Sequence, residues 1–317
     1  MPNATHRLAT AAGFTVDTVS TGAAISRVTL PVAGRSADVA LRYTNPILHL
    51  TDRQFIGSTI GRYANRLANG TVVIGSHNYS LAMSAGDLHC LHGGPVGFGR
   101  RVWKQDAASS NAVSYRLRSV DGDQGFPGTV DVTAQYRVSE PATLEIDYLA
   151  TTDAETVISL TNHSYINLHG NRAMIDGHQL SVNADSYLPV NEALIPTGDY
   201  GDVTNSRYDY RARKAICGGD ALDTCFIING PQQSLRYAAQ LVSPASGITL
   251  TLYTSLPALQ VYTGDYLRYP FCARAGLCLE PQQLPDAPNQ PLFPPATLKP
   301  GEPYHQKTRY VFTEANA

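Results

Sequence analysis

The chain has 317 residues and sets 24 Lys plus Arg against 26 Asp plus Glu, a formal charge of -2 with both signs scattered along its length. Without a basic stripe to collect phosphates, nucleic acid is excluded as an expected partner. The first twenty residues are interrupted by Asn3, Thr5, His6, Arg7, Thr10 and Asp17, which leaves no apolar run long enough for a signal peptide or membrane span, so a cytoplasmic protein is expected.

The 26 Gly and 20 Pro are spread throughout, and few stretches stay free of helix breakers for the dozen or more residues a stable helix wants. Taken in chain order, the segment His89-Cys90-Leu91-His92 offers two imidazoles and a thiol, but no second ligand cluster follows at zinc spacing and no metal is expected there. The five cysteines, Cys90, Cys217, Cys225, Cys272 and Cys278, form no Cys-x-x-Cys pair, and an odd count reads as buried free thiols. Trp103 reads as core. Residues 120–128 (VDGDQGFPG) read as a loop. Val130, Val132, Ala134, Tyr136 and Val138 alternate with polar residues, the period-two signature of a strand with one buried face. After the turn Ser139-Glu140-Pro141 its hairpin partner follows, with Leu144, Ile146 and Tyr148 on the apolar side.

In residues 157–168 (VISLTNHSYINL), Ile158, Leu160, Ile166 and Leu168 share one parity while Ser159, Thr161, His163, Tyr165 and Asn167 share the other, so His163 is predicted to point away from the core. Ile248, Leu250 and Leu252 mark a further strand. The two-sided pattern returns in residues 258–262, where Leu259 and Val261 alternate with Gln260 and Tyr262, and in residues 277–280, where Leu277 and Leu279 alternate with Cys278 and Glu280. A sheet face carrying His, Gln, Glu, Tyr and Asn suits a polar sugar cleft, where hydroxyls need amide and carboxylate partners and rings supply a floor. Residues 281–303 are proline-rich and read as an ordered extended loop. With no composition shift or repeat to mark a boundary, one large antiparallel all-β domain over 1–317 is the simplest organisation.

These segments resemble the galactose mutarotase, or aldose 1-epimerase, family. The motifs in order are 61–70 (GRYANRLANG), 91–103 (LHGGPVGFGRRVW), 125–128 (GFPG), 160–168 (LTNHSYINL), 188–198 (LPVNEALIPTG), 222–226 (LDTCF), 256–264 (LPALQVYTG) and 279–289 (LEPQQLPDAPN). The resemblance implies a large antiparallel β-sandwich, the galactose mutarotase-like supersandwich. It implies Glu280 as general base and His163 as general acid, with Asn65, Arg66, His92, Asp223 and Gln260 binding the sugar hydroxyls and ring oxygen. Gly99 stands where the family often has Asp, and Ile166 where it has Phe; both are expected to bear on cleft shape more than on the reaction.

The implied reaction exchanges the α and β anomers of a free aldohexose. It takes the proton from the C1 hydroxyl while protonating the ring oxygen, then recloses the ring after the aldehyde rotates. One base and one acid suffice, which fits a sequence without nucleotide-binding glycine loops or metal-ligand spacings, and no cofactor is expected. A carboxylate ionised at neutral pH beside an imidazole able to hold a proton makes the pair natural, and the rate is expected to be bell-shaped in pH. Read alone, His163 is an ordinary hydrogen-bonded strand residue and Glu280 a carboxylate at a strand end; the polar parity and the motif context argue otherwise. Two alternatives stand beside this reading. One is a hexose-6-phosphate 1-epimerase, with Arg100, Arg101 and Lys104 near one motif to hold the dianion; the other is a non-catalytic carbohydrate-binding or sensor protein on the same fold. A monomer or weak homodimer binding a small sugar is expected.

Overall fold

The computed structural model describes residues 3–32, 34–170, 174–219 and 221–314; the remaining positions of the expected 1–317 span lie outside the described residues. Among the described residues the helical elements are short 3₁₀ turns, the longest Pro46–Thr51, and no helix is long and apolar enough to cross a membrane. The remaining regular secondary structure among the described residues is strand, joined by turns and loops, in keeping with the scattered glycines and prolines.

A nine-stranded sheet forms one wall. Its order is Lys104–Ala108, Ala112–Ser119, Val130–Ser139, Thr143–Thr152, Tyr304–Glu314, Ile248–Thr254, Arg236–Val242, Gln179–Val182 and Lys214–Ala215. The expected hairpin is present with Ser139 opposite Thr143, and residues 120–128 form the loop before it. Alternation along Val130–Ser139 buries Val130, Val132, Ala134, Tyr136 and Val138, as the period-two pattern demands. A six-stranded sheet faces it in the order Tyr165–Ile166, Leu277–Gln282, Ala258–Tyr262, Asp223–Ile227, Ser186–Tyr187 and Gly201–Asp202. A four-stranded sheet from the first 38 residues completes the walls.

One buried cluster joins the inner faces, with Val132, Ala134, Leu250 and Leu252 from the large sheet and Phe226, Leu259, Val261, Leu277 and Leu279 from the smaller. Buried hydroxyls inside it are satisfied: Tyr136 Oη lies 2.5 Å from the Ala23 carbonyl and 2.9 Å from Thr59 Oγ1, and Tyr310 Oη donates to the Leu279 carbonyl across the sandwich. Trp103 is core, its indole N–H donating to the Phe98 carbonyl at 3.0 Å.

Two expectations are corrected. Residues 157–168 are not one strand but three short pieces in three sheets: Thr156–Val157 pairs with Thr297–Leu298, Thr161–Asn162 with Thr59–Ile60, and Tyr165–Ile166 with the Leu277–Gln282 strand. The polar side of this segment is buried as well. The proline-rich stretch is ordered, but its first two residues, Pro281 and Gln282, finish a strand, and it carries a 3₁₀ turn at Ala287–Asn289 and a short strand at Thr297–Leu298.

Candidate active site

The site is built on the side of the six-stranded sheet that faces away from the aliphatic core. Register sets the arrangement: Cys225 lies opposite Gln260 and Gln260 opposite Glu280, forming one cross-strand row. The next row runs Asp223, Tyr262, Cys278, Tyr165. Because successive side chains in a strand alternate faces, burying Phe226, Leu259, Val261, Leu277 and Leu279 in the core obliges these two polar rows to share the other side.

His163 enters from the segment between two of the short strands. Its N–H donates to the Ser58 carbonyl at 2.9 Å, and its carbonyl accepts from Gly57 N–H at 3.0 Å. The neighbouring Asn162 amide donates to the Gly57 carbonyl, and Ser164 Oγ donates to Asn162 Oδ1 at 2.6 Å, so the polar residues of the LTNHSY motif anchor the backbone that aims the imidazole.

The third wall comes from the turn before Arg66–Leu67 and the turn after Cys90–Leu91, which pair as a two-stranded ladder. Asn65 (φ 67°) and His92 (φ 53°) both adopt the left-handed conformation, where Asn and His are among the more tolerated residues. They hold one another, His92 N–H donating to the Asn65 carbonyl at 3.0 Å and Asn65 N–H to His92 Nδ1 at 3.2 Å. Gly93 must be glycine, since a Cβ there would meet the Gly61 carbonyl oxygen at 2.1 Å and its φ is +83°.

All seven residues singled out in the sequence, Glu280, His163, Asn65, Arg66, His92, Asp223 and Gln260, line one pocket of about 200 Å³. The same pocket takes in residues that sequence reasoning did not select, chiefly Phe55, Tyr165, Tyr262 and Tyr266. Tyr165 and Tyr262 carried a signal, since both sit on the polar parity of named motifs; Phe55 carried none, being placed by a left-handed turn (φ 58°). Its ring lies 4.9 Å from that of His92 and 5.9 Å from that of His163. Gly99 packs behind Phe55, where a Cβ would come within 3.4 Å of the ring, so this departure does bear on cleft shape. Ile166 belongs to the core and does not.

Within the pocket His163 Nε2 stands 3.7 Å from Glu280 Oε2, an oxygen that is buried with no hydrogen-bond partner among the described residues. Burial, and after it the Asp223 charge, pushes the Glu280 carboxyl well above the usual carboxylate range. Burial pushes the His163 imidazole down to about 4. His92 is driven down as well, by burial and then by His163, Arg66 and Arg100. Asp223 is raised by burial, opposed by the Arg66 charge and by Gln260, whose Nε2 donates to Asp223 Oδ1 at 2.5 Å. Both shifts run against an ionised carboxylate beside a protonated imidazole, because two buried charges are more penalised than a neutral pair.

His163, Cys278 and Glu280 bring ligand atoms within 4.8 Å of one another. Sulfur contacts the Nδ1 side of the ring, however, and the carboxylate the Nε2 side, so an ion on one nitrogen would leave a ligand beyond the far side of the imidazole. His89 and His92 are held apart, His89 Nδ1 by Asn69 N–H and His92 Nδ1 by Asn65 N–H. Of the cations named for a phosphate, Arg100 lies over the Phe55 ring and donates to the Pro95 carbonyl, Arg101 pairs with Asp123, and none of Arg100, Arg101 and Lys104 lines the pocket.

The aldose 1-epimerase family profile matches residues 5–311. The chain is 34% identical to an aldose 1-epimerase of Escherichia coli K12 over 321 residues, covering 95% of this chain and 92% of that protein. It is 36% identical to the human galactose mutarotase over 320 residues, covering 95% and 91%. Among solved structures, an aldose epimerase homologue from C. elegans superposes with a TM-score of 0.93 at 31% identity, covering 99% of this chain and 100% of that one. A galactose 1-epimerase from Lactobacillus acidophilus superposes with a TM-score of 0.85 at 27% identity, covering 98% and 94%. With its galactose mutarotase-like β-sandwich, this chain belongs to the aldose 1-epimerase family, carbohydrate isomerases with mutarotase activity.

Proposed function

We propose that the protein interconverts the anomers of a free aldohexose such as galactose or glucose, with Glu280 as general base, His163 as general acid, and Asn65, Arg66, His92, Asp223 and Gln260 as sugar-binding residues. The observation that carries this is the 3.7 Å separation of Glu280 Oε2 and His163 Nε2 at one pocket wall. The hydroxyl oxygen and the ring oxygen of a hemiacetal are bonded to the same carbon, so the groups that serve them must stand a few ångströms apart. In ring opening, Glu280 takes the C1 hydroxyl proton as the C1 carbonyl forms. The electrons of the breaking C1–O5 bond go to O5, which receives the proton of His163. The pair thus holds one proton before and after, and sugar hydroxyls donating to the carboxylate favour the charge-separated form needed at the start. Arg66 and His92 line the same pocket and serve to steady charge at the ring oxygen.

Two observations favour a free sugar over a phosphorylated one: Arg66 is balanced by Asp223, and Arg100 and Arg101 are engaged elsewhere. The reading treats the chain as one domain, supported by a core cluster running from Leu8 to Phe312. It also takes the protein to be cytoplasmic, which the free thiols of Cys90, Cys225, Cys272 and Cys278 support, and a monomer or weak homodimer.

Anomer exchange measured by NMR on glucose, galactose, xylose, arabinose and glucose 6-phosphate tests the proposal. Exchange of the unphosphorylated hexoses above the buffer rate is expected, falling by about 10²- to 10⁴-fold in Glu280→Gln and in His163→Asn. A folded Glu280→Gln protein of wild-type speed overturns the base assignment, faster turnover of the phosphate ester overturns the substrate class, and no acceleration of any aldose favours a binding module.

A further inference from the structure

One short segment, residues 52–58, holds both the backbone and the ring of His163. Its far end holds the backbone, Gly57 N–H donating to the His163 carbonyl and the Ser58 carbonyl accepting from His163 N–H. Its near end begins at the buried Asp52, whose Oδ1 accepts from the Tyr43 hydroxyl at 2.8 Å and from Gln54 N–H at 2.7 Å, and whose Oδ2 accepts from Ile56 N–H at 2.6 Å. These bonds close a turn around Phe55, which sits in the left-handed region at φ 58° and lines the sugar pocket. Behind its ring Gly99 leaves room that a Cβ would narrow to 3.4 Å, and the Arg100 guanidinium lies 5.0 Å from the ring centre while donating to the Pro95 carbonyl.

The plane of an imidazole is only weakly set by its own side chain, because rotation about the Cβ–Cγ bond has broad minima. The polar contacts of His163 add little: Nε2 stands 3.7 Å from Glu280 Oε2, beyond hydrogen-bond reach, and Nδ1 lies 3.4 Å from Cys278 Sγ, a weak partner in either sense. Three rings box the imidazole instead. Tyr165 lies 5.0 Å from it at 44°, His92 5.4 Å at 84°, and Phe55 5.9 Å at 34°, the nearest of the three to parallel. We propose that Phe55 is a positioning residue: its ring, braced by Asp52, Gly99 and Arg100, fixes the plane of the His163 imidazole and keeps Nε2 directed at Glu280 and the sugar. The inference rests on the acid role given to His163 above.

The plane matters because a proton passes to the ring oxygen only along the direction of Nε2, and a misplacement of about 1 Å can cost on the order of a hundredfold in rate. A phenyl ring suits the task. It is flat and rigid and carries no hydrogen-bonding group, so it restrains the imidazole without competing for either nitrogen and leaves both free to change protonation during the reaction. The brace itself stands apart from the sugar, since Asp52 does not line the pocket that Phe55 enters. Holding the ring and touching the substrate are therefore separable by mutation.

The test compares wild type with Phe55→Ala, with Phe55→Leu, which keeps apolar bulk without a flat face, and with Asp52→Asn, which weakens the turn and leaves the ring in place. Crystal structures report the plane of the His163 imidazole, and anomer exchange on galactose reports kcat and KM. In Phe55→Ala and Asp52→Asn the plane is expected to turn by more than about 20°. The expected loss in kcat is about ten- to hundredfold in Phe55→Ala, smaller in Phe55→Leu, and about fivefold in Asp52→Asn with KM within about twofold of wild type. An imidazole that keeps its plane in Phe55→Ala overturns the proposal whatever happens to kcat, and a folded Asp52→Asn protein with wild-type plane and kcat overturns the brace. Should Asp52→Asn fail to fold, the two Phe55 variants decide alone. The two readings fail separately: a turned imidazole with undiminished kcat upholds the role of Phe55 and sinks the acid assignment, as full activity in His163→Asn would, whereas an inactive His163→Asn beside an unturned imidazole in Phe55→Ala sinks only the role of Phe55.

Discussion

Glu280 is held in a state that folding alone would avoid, a carboxyl buried with one oxygen lacking any hydrogen-bond partner among the described residues. Its folded pKa lies above that of the unfolded chain, so the folded form binds the extra proton. Stability is then lost as pH rises from the ordinary carboxylate range through the raised folded value. Removing the charge should reverse this, and activity and stability should part company in Glu280→Gln. At pH 8 the variant is expected to melt about 1–3 °C above wild type, with little difference near pH 5. A melting temperature at pH 8 equal to or below wild type, measured by calorimetry, would show that the carboxyl is not penalised by its surroundings. The sequence carried this residue well, because Leu279 and Glu280 differ in parity and the LEPQ context repeats a family motif. It did not single out Cys278, whose side chain reads as one more buried thiol until cross-strand register sets it behind His163.

Elements tell a different story about legibility. Alternation in residues 157–168 correctly separated Leu160 and Ile166 from His163 and Tyr165, yet the segment joins three sheets. Parity reports that the backbone is extended; it is silent on which strand supplies the hydrogen bonds, since partners are chosen by long-range contacts. The GRYANRLANG and GFPG motifs show the same limit, because their link appears only in three dimensions. Arg62, 1% exposed, donates to the carbonyls of Pro127 at 2.7 Å and Gly128 at 2.9 Å and to Ser119 Oγ at 2.6 Å, tying the segment before Asn65 to the loop of residues 120–128. Burial pulls its guanidinium down to about 10, so it remains charged at neutral pH and its bonds are of the stronger, charge-assisted kind. Arg62→Ala removes the donor from several buried acceptors at once and is expected to destabilise the fold by about 3 kcal/mol, read as a lower urea midpoint. Arg62→Lys, which cannot span all the acceptors, should fall between the two. An alanine variant within about 0.5 kcal/mol of wild type would mean that water replaces the guanidinium without loss.

For the whole molecule, the all-β architecture was legible because the strands that build the core alternate cleanly and helix breakers are everywhere, while the order of strands in the sheets was not, since sequence period carries no record of neighbours. A property of the whole fold follows from where it puts its histidines. His49 and His163 are buried and His92 is half-buried, each with its pKa lowered chiefly by burial. His178, also buried, is held down to about 4 by burial and then by His169. In His178, Nδ1 lies 2.8 Å from the Ile175 carbonyl and Nε2 accepts from Leu168 N–H at 3.0 Å. That assigns a single neutral tautomer, and a proton added at Nε2 would confront the Leu168 N–H directly. For such groups the unfolded chain binds more protons than the folded one between about 4 and 6.5, so the sign of the linkage is fixed: stability falls as pH drops through that window. Each fully protonated histidine of this kind is worth on the order of 3 kcal/mol, more than the opposing gain as Glu280 is protonated can offset when several titrate together. The melting temperature is therefore expected to decline steadily from pH 6.5 to pH 4, and His178→Gln, uncharged at every pH, should make the decline shallower even though it is less stable at neutral pH. A melting temperature that holds level down to pH 4, or a His178→Gln curve parallel to wild type, would place the acid sensitivity elsewhere than in these buried imidazoles.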